Sequence, residues 1–169
     1  MLKGVLDAAN VDLKAFKDET YRDVCGASLK PVLDSIEYMK RLGVWVEVTT
    51  LIVPGVNDNE DELRGIASFL ARLSKDIPWH ISSFHADYKL NHYPSTPLDT
   101  MKMAYELGRS LGLQYVYAGI LGLGQDTYCH LCKKMLIKRE GFRIIESHIK
   151  GNKCIFCQTR LAGVFSIDS

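Results

Sequence analysis

The stretch Trp45-Val46-Glu47-Val48-Thr49-Thr50-Leu51-Ile52-Val53-Pro54-Gly55 decides the fold. Residues 44–53 are rich in β-branched side chains and stop at a Pro-Gly pair, which reads as a strand closed by a turn. On its N-terminal side, residues 30–42 place Val32, Leu33, Ile36, Met39 and Leu42 at helical spacing, and Gly43 ends the pattern. Residues 9–14 form an earlier short strand. On the C-terminal side, Asn57 or Asp58 is suited to cap a helix whose Leu63, Ile66, Ala67, Leu70 and Leu73 make an apolar stripe. A third strand follows over residues 79–84. Thr96-Pro97-Leu98-Asp99 then carries a hydroxyl cap, a proline and an early carboxylate, the signature of a helix start. That helix runs to about Leu111 and Gly112, and residues 114–118 make a fourth strand. Strands alternating with single helices predict right-handed crossovers and a parallel sheet, an α/β fold.

Four such strands cannot close an eight-unit barrel. Parallel strands also normally sit in covered interiors, whereas the first strand here begins about ten residues into the sequence. Residues 1–124 are therefore expected to be the later βα units of a larger, partial (β/α) TIM-like barrel, with an open edge beside the first strand. An exposed edge of that kind invites another protein to pair there. The 169 residues are 47% apolar and 24% charged, a composition that excludes a disordered or collagen-like chain. With no apolar run near the ~20 residues of a membrane span and no signal-peptide segment at the start, a cytoplasmic protein is expected.

Residues 125–169 differ in chemistry. Residues 129–169 carry 8 Lys/Arg against 3 Asp/Glu, whereas residues 1–128 carry 13 against 17. Four of the five cysteines fall in this tail as Cys129-His130-Leu131-Cys132 and Cys154-Ile155-Phe156-Cys157, separated by 21 residues. In a chain without a secretion signal that spacing points to a metal before disulfides. Four sulfurs suit tetrahedral Zn²⁺ with no open position, so the metal is read as structural, with iron in a rubredoxin-like site as the alternative. The spacer holds a hairpin, residues 135–138 and 142–146 around Glu140-Gly141, completing a zinc ribbon. Its knuckles lack the glycine often found after the second cysteine. His130 and His148 are expected in exposed loops outside the ligand set, and Cys25 is an inert or free thiol. The basic tail is read as a solvated face; nucleic acid is not the expected partner.

Reacting groups of parallel α/β folds gather at the carboxyl ends of strands. Asp12 and Lys14 share a face near the end of the first strand, Glu47 and Thr49 share one on the second, and His85 follows the third. A carboxylate, an ammonium, a hydroxyl and an imidazole meeting at one mouth suit a zwitterionic ligand and an anionic group. The plainer reading of Asp12 and Lys14 is an ion pair at a strand end. Tyr88, Lys89 and His92 are read as loop surface.

The segment from Asp7 to Phe16, the segment Trp45 to Gly55, the segment Trp79 to His85 and the cysteine module occur in an order that resembles one family. It is the AmmeMemoRadiSam-system radical SAM enzymes, relatives of the pyruvate formate-lyase activating enzymes. The resemblance implies a partial barrel in which a CxxxCxxC motif holds a 4Fe-4S cluster. The cluster binds S-adenosylmethionine and cleaves it to a deoxyadenosyl radical that abstracts hydrogen from a substrate. It also implies that Asp12 and Lys14 match an Asp-x-Lys motif at the cofactor pocket and that His85 matches a cofactor-contacting histidine. Thr49 stands where these relatives often place an arginine. No CxxxCxxC occurs in these residues, so the cluster ligands are expected outside this chain. The implied partner is an N-terminal radical SAM half completing the barrel, with Memo-like and AMMECR-like proteins of the same system as further partners. The competing expectation is a non-catalytic zinc-ribbon module that docks protein or nucleic acid.

Overall fold

The structure is a computed structural model that describes residues 4–87, 93–119 and 122–165. Four strands, β1 (Ala8–Asp12), β2 (Trp45–Ile52), β3 (Trp79–Ser83) and β4 (Val116–Ala118), pair in chain order. All three pairings are parallel. Their connections hold helices α1 (Asp18–Cys25) and α2 (Leu29–Arg41), α3 (Glu60–Leu73) and α4 (Leu98–Ser110). The two faces of the sheet differ. Val46, Val48, Thr50 and Ile52 of β2 are fully buried, whereas Trp45, Glu47, Thr49 and Leu51 on the opposite face are partly exposed. The buried face packs on Ile36 of α2, on Leu63, Ile66, Ala67 and Leu70 of α3, and on Met101 and Ala104 of α4, one continuous apolar core. Close approach is needed where α4 crosses the sheet: a Cβ on Gly108 of α4 would lie 2.9 Å from the Trp79 ring.

The predicted alternation is present, and the differences lie at element ends. The ladder of β1 stops at Asp12 rather than residue 14, because side chains take over the backbone of Lys14: its N–H donates to the Tyr21 hydroxyl, 2.9 Å, and its carbonyl accepts from Asn57. Asn57 is therefore no helix cap. Its buried amide also donates to the Leu51 carbonyl, 2.8 Å, and the cap of α3 is Asn59, whose side chain accepts from the Glu62 N–H at 3.1 Å. Thr96 is likewise not a cap. Its hydroxyl donates to the Ile52 carbonyl, 2.6 Å, and accepts from the Phe84 N–H, 2.7 Å, so it ties the ends of β2 and β3 together. Helix α1 was not anticipated; at eight residues with one buried side chain, Tyr21, its apolar signal is weak.

The tail forms a second unit. Strands β5 (Thr127–Tyr128), β6 (Met135–Glu140) and β7 (Arg143–Ser147) make an antiparallel sheet, and β8 (Ile149–Lys150) with β9 (Lys153–Cys154) makes a hairpin. The turn falls at Gly141 and Phe142, one residue later than the Glu140-Gly141 expected from the sequence, because Glu140 pairs with Arg143 in the ladder. This unit has a small core of its own, Cys129, Leu136, Cys154 and Leu161. Among the described residues no helix is long and apolar enough to cross a membrane.

Candidate functional site

At the carboxyl edge of the sheet, Lys14 Nζ lies 2.9 Å from Asp12 Oδ2, with both side chains about half exposed. Asp12 stands opposite Thr49 in the register, and the Thr49 hydroxyl donates to Asn10 Oδ1 at 2.9 Å. Register and exposure thus bring Asp12, Lys14 and Thr49 to one edge. His85 is exposed two residues beyond β3, its Nε2 3.4 Å from the Ser83 hydroxyl, and among the described residues no hydrogen bond or ion pair joins it to the other three. Tyr88, Lys89 and His92 lie outside the described residues.

The loop carrying Lys14 is anchored from beneath. The buried Thr50 hydroxyl donates to the Leu13 carbonyl, 3.0 Å, and accepts from Trp79 Nε1, 3.0 Å. Glu62 on α3, 1% exposed, accepts from the backbone N–H groups of Phe16 and Lys17 and from the Thr20 hydroxyl, 3.2 Å. Its carboxylate thereby satisfies donors at the entry to α1, where a negative group is favoured. Sequence reasoning missed it, because an acidic residue in a helix's first turn reads as solvated.

A second set of polar groups occupies the same open face nearer the start of the strands. Glu47 Oε2 is 2.8 Å from His80 Nε2, and Glu47 Oε1 accepts from Trp45 Nε1 at 3.0 Å. The His80 ring stacks on Tyr117, centroids 5.2 Å apart, and the Tyr117 hydroxyl is 2.9 Å from the Thr127 hydroxyl. Arg139 lies over the other end of this chain of contacts, 5.5 Å from the Tyr117 ring centroid and 2.8 Å from the Thr127 hydroxyl. The pairs are 33 and 10 residues apart in sequence, so only the folded sheet reveals them. The His80 hydrogen bond, opposed by burial and aided by Trp45, holds the Glu47 carboxyl below its usual value of 4.5. A carboxyl depressed on folding stabilises above its unfolded pKa, and that contribution disappears as pH falls through the folded value. Glu47→Gln should therefore lower the melting temperature at neutral pH, and the gap from wild type should close in melts taken progressively below pH 4.5.

The four ribbon sulfurs lie within 4.8 Å of one another. Cys129 and Cys157 Sγ are 3.7 Å apart, and Cys132 and Cys154 Sγ are 3.8 Å apart. A tetrahedral ion with metal–sulfur bonds of about 2.3 Å sets its sulfurs about 3.8 Å from each other, so the set fits a four-coordinate metal. Each knuckle is built alike. Cys129 N donates to Lys134 O and Lys133 N to Cys129 O; Cys154 N donates to Thr159 O and Gln158 N to Cys154 O. Burial opposes ionisation of Cys154, but hydrogen bonds from the backbone of Cys157 and Phe156 bring its thiol to about 7. For Cys157, the Thr159 N–H favours the thiolate, yet burial and the neighbouring sulfurs outweigh it and push the thiol up to about 12. Four thiolates this close would need a cation between them to be ionised together. Among the described residues the candidate metal group comprises the four cysteines; His130 and His148 lie in loops as read from the sequence but are half-buried rather than exposed, and His148 is 3.2 Å from the Met135 carbonyl and edge-on to Phe156.

No family model matches the chain. It is 43% identical over 161 residues to the uncharacterized protein MJ0808 of Methanocaldococcus jannaschii, a match spanning 92% of this chain and 48% of that one. It is 24% identical over 134 residues to the benzylsuccinate synthase activating enzyme of Thauera aromatica, spanning 71% of this chain and 40% of the enzyme. A crystallised domain of the pyruvate-formate lyase-activating enzyme from Bacteroides vulgatus shares its fold, with a TM-score of 0.60 at 16% identity over 68% of each chain. The chain therefore spans about half the length, or less, of the curated relatives it matches. Sequence relatives whose names state a function, and the structural neighbour, are activating enzymes, the group that the sequence motifs resemble.

Proposed function

We propose that these residues form the later part of a radical SAM domain of the activating-enzyme type, residues 1–124 supplying barrel wall and residues 125–169 a zinc ribbon. The observation that carries this reading is the Asp12–Lys14 pair, fixed at the carboxyl end of a parallel strand in a chain whose relatives are activating enzymes. S-adenosylmethionine is the source of the deoxyadenosyl radical in such enzymes. Toward it, Lys14 offers a cation for the carboxylate, Asp12 an anion for the ammonium, and Thr49 and His85 hydrogen-bonding groups. Anchoring by Asn57, Tyr21 and Thr50 keeps the backbone of this edge from moving when the ligand arrives.

The residues present do not fit the iron–sulfur cluster. Four of the five cysteines converge on the ribbon site, and Cys25 stands apart and exposed on α1. The cluster ligands therefore come from outside these residues, and the chain by itself is inactive. The unpaired edge of β1 is where the cluster-bearing βα units attach, in a cytoplasmic assembly to which Memo-like and AMMECR-like proteins are further candidate partners. Co-expression with a polypeptide carrying CxxxCxxC and the preceding units should restore reductive cleavage of S-adenosylmethionine. Lys14→Met and Asp12→Asn should each reduce that rate about tenfold or more, as expected for losing a charge-assisted hydrogen bond. An intact, iron-loaded assembly that leaves the cofactor uncleaved would end this reading.

A further inference from the structure

A cleft of about 780 Å³ lies between the open face of the sheet and the ribbon, lined by Trp45, Glu47, His80 and Tyr117 on one side and Arg139 and Phe142 on the other. Its volume is that of a small-molecule site. It lies toward the start of β2 and β3, away from the Asp12–Lys14 edge.

Two features define what it would hold. Arg139 Nη1 is committed, donating to the Gln125 carbonyl at 3.0 Å and to the Thr127 hydroxyl at 2.8 Å. The guanidinium also interacts with the Tyr117 hydroxyl, but among the described residues no hydrogen bond from its Nε or Nη2 and no carboxylate pairing with it is seen. That free edge presents two parallel N–H donors, the geometry that takes a carboxylate in bidentate fashion. Glu47 does not compete for it, since both its oxygens are engaged by Trp45 and His80. The rest of the lining mixes the rings of Trp45, Tyr117 and Phe142 with aliphatic side chains such as Ile81 and Ile137. Phe142 at the mouth is fully exposed, an apolar ring with nothing packed upon it.

We propose that this cleft binds a small organic carboxylate with a flat apolar body, the carboxylate on the Nε–Nη2 edge of Arg139 and the body against Trp45, Tyr117 and Phe142. This site rests on its own geometry and stands independently of the radical SAM reading. Phenylacetate and its neutral isostere phenylacetamide are suitable probes, titrated into the metal-loaded full chain by calorimetry and by fluorescence. Trp45 reports the cleft, because the second tryptophan, Trp79, is fully buried.

The acid should bind roughly tenfold more tightly than the amide, the value of one charge-assisted contact, and the preference should shrink as salt is raised. Arg139→Gln should abolish the preference, and Arg139→Lys should keep part of it. Because Arg139 also ties β6 to β5 within the ribbon through Thr127, Trp45→Ala provides a second arm: it should weaken acid binding about fivefold while leaving the ribbon contacts in place. The proposal is overturned if acid and amide bind alike, if neither binds at concentrations on the order of 10 mM, if the preference survives Arg139→Gln in a folded protein, or if Trp45→Ala leaves acid affinity unchanged.

Discussion

Removing the metal from the four-cysteine ribbon is expected to unfold residues 127–161 while the parallel sheet persists. The ribbon's own core is Cys129, Leu136, Cys154 and Leu161, so half of it consists of ligands. Two buried leucines with Ile137, Ile149 and Phe165 half-buried around them are too small a core to offset the conformational entropy of some thirty ordered residues. Metal ligation contributes an apparent ~10–16 kcal/mol to folds of this kind. Chelator titration followed by circular dichroism and by amide NMR should show the β5–β7 signals collapsing as metal leaves, with the sheet's core amides retained. Cys129→Ser and Cys154→Ser should reproduce the effect. The change should also reach Tyr117, which hydrogen-bonds Thr127 and stacks on His80. A metal-free chain that keeps the ribbon's NMR dispersion would refute this account.

The second large effect is expected at Glu62. Glu62→Ala strips acceptors from the buried entry to α1, where the Phe16 and Lys17 N–H groups and the Thr20 hydroxyl all point at this carboxylate. Leaving these partly buried donors without their acceptor costs about 2 kcal/mol, a sizeable share of the 5–15 kcal/mol typical of a domain. Glu62→Gln keeps one acceptor oxygen and should lose roughly half as much. Chemical denaturation of the metal-loaded chain measures both. A loss below about 1 kcal/mol for the alanine variant would mean that water replaces the carboxylate at no great cost.

What could be read in advance was what is local. The run from Trp45 to Ile52 is β-branched enough to declare a strand, and two CxxC pairs bring their sulfurs together because each knuckle is one short turn. The Asp12–Lys14 pair was equally legible from a two-residue spacing. Asn57 and Thr96 show where local reasoning fails. Both have the chemistry of helix caps, and both are instead used to bind strand ends together across tens of residues. Glu62 and the Glu47–His80 pair were out of reach for the same reason: their partners are 45 and 33 residues away.

Each knuckle places a non-glycine residue in the left-handed region directly after its second cysteine, Lys133 with φ 62° and Gln158 with φ 61°. Glycine is favoured there only because it adopts that backbone conformation with little strain. Here the closing hydrogen bonds of the turn, Lys133 N–H to Cys129 O and Gln158 N–H to Cys154 O, hold lysine and glutamine in the same conformation. A search pattern that insists on glycine at this position would pass over such ribbons, whereas one written in backbone angles would retrieve them.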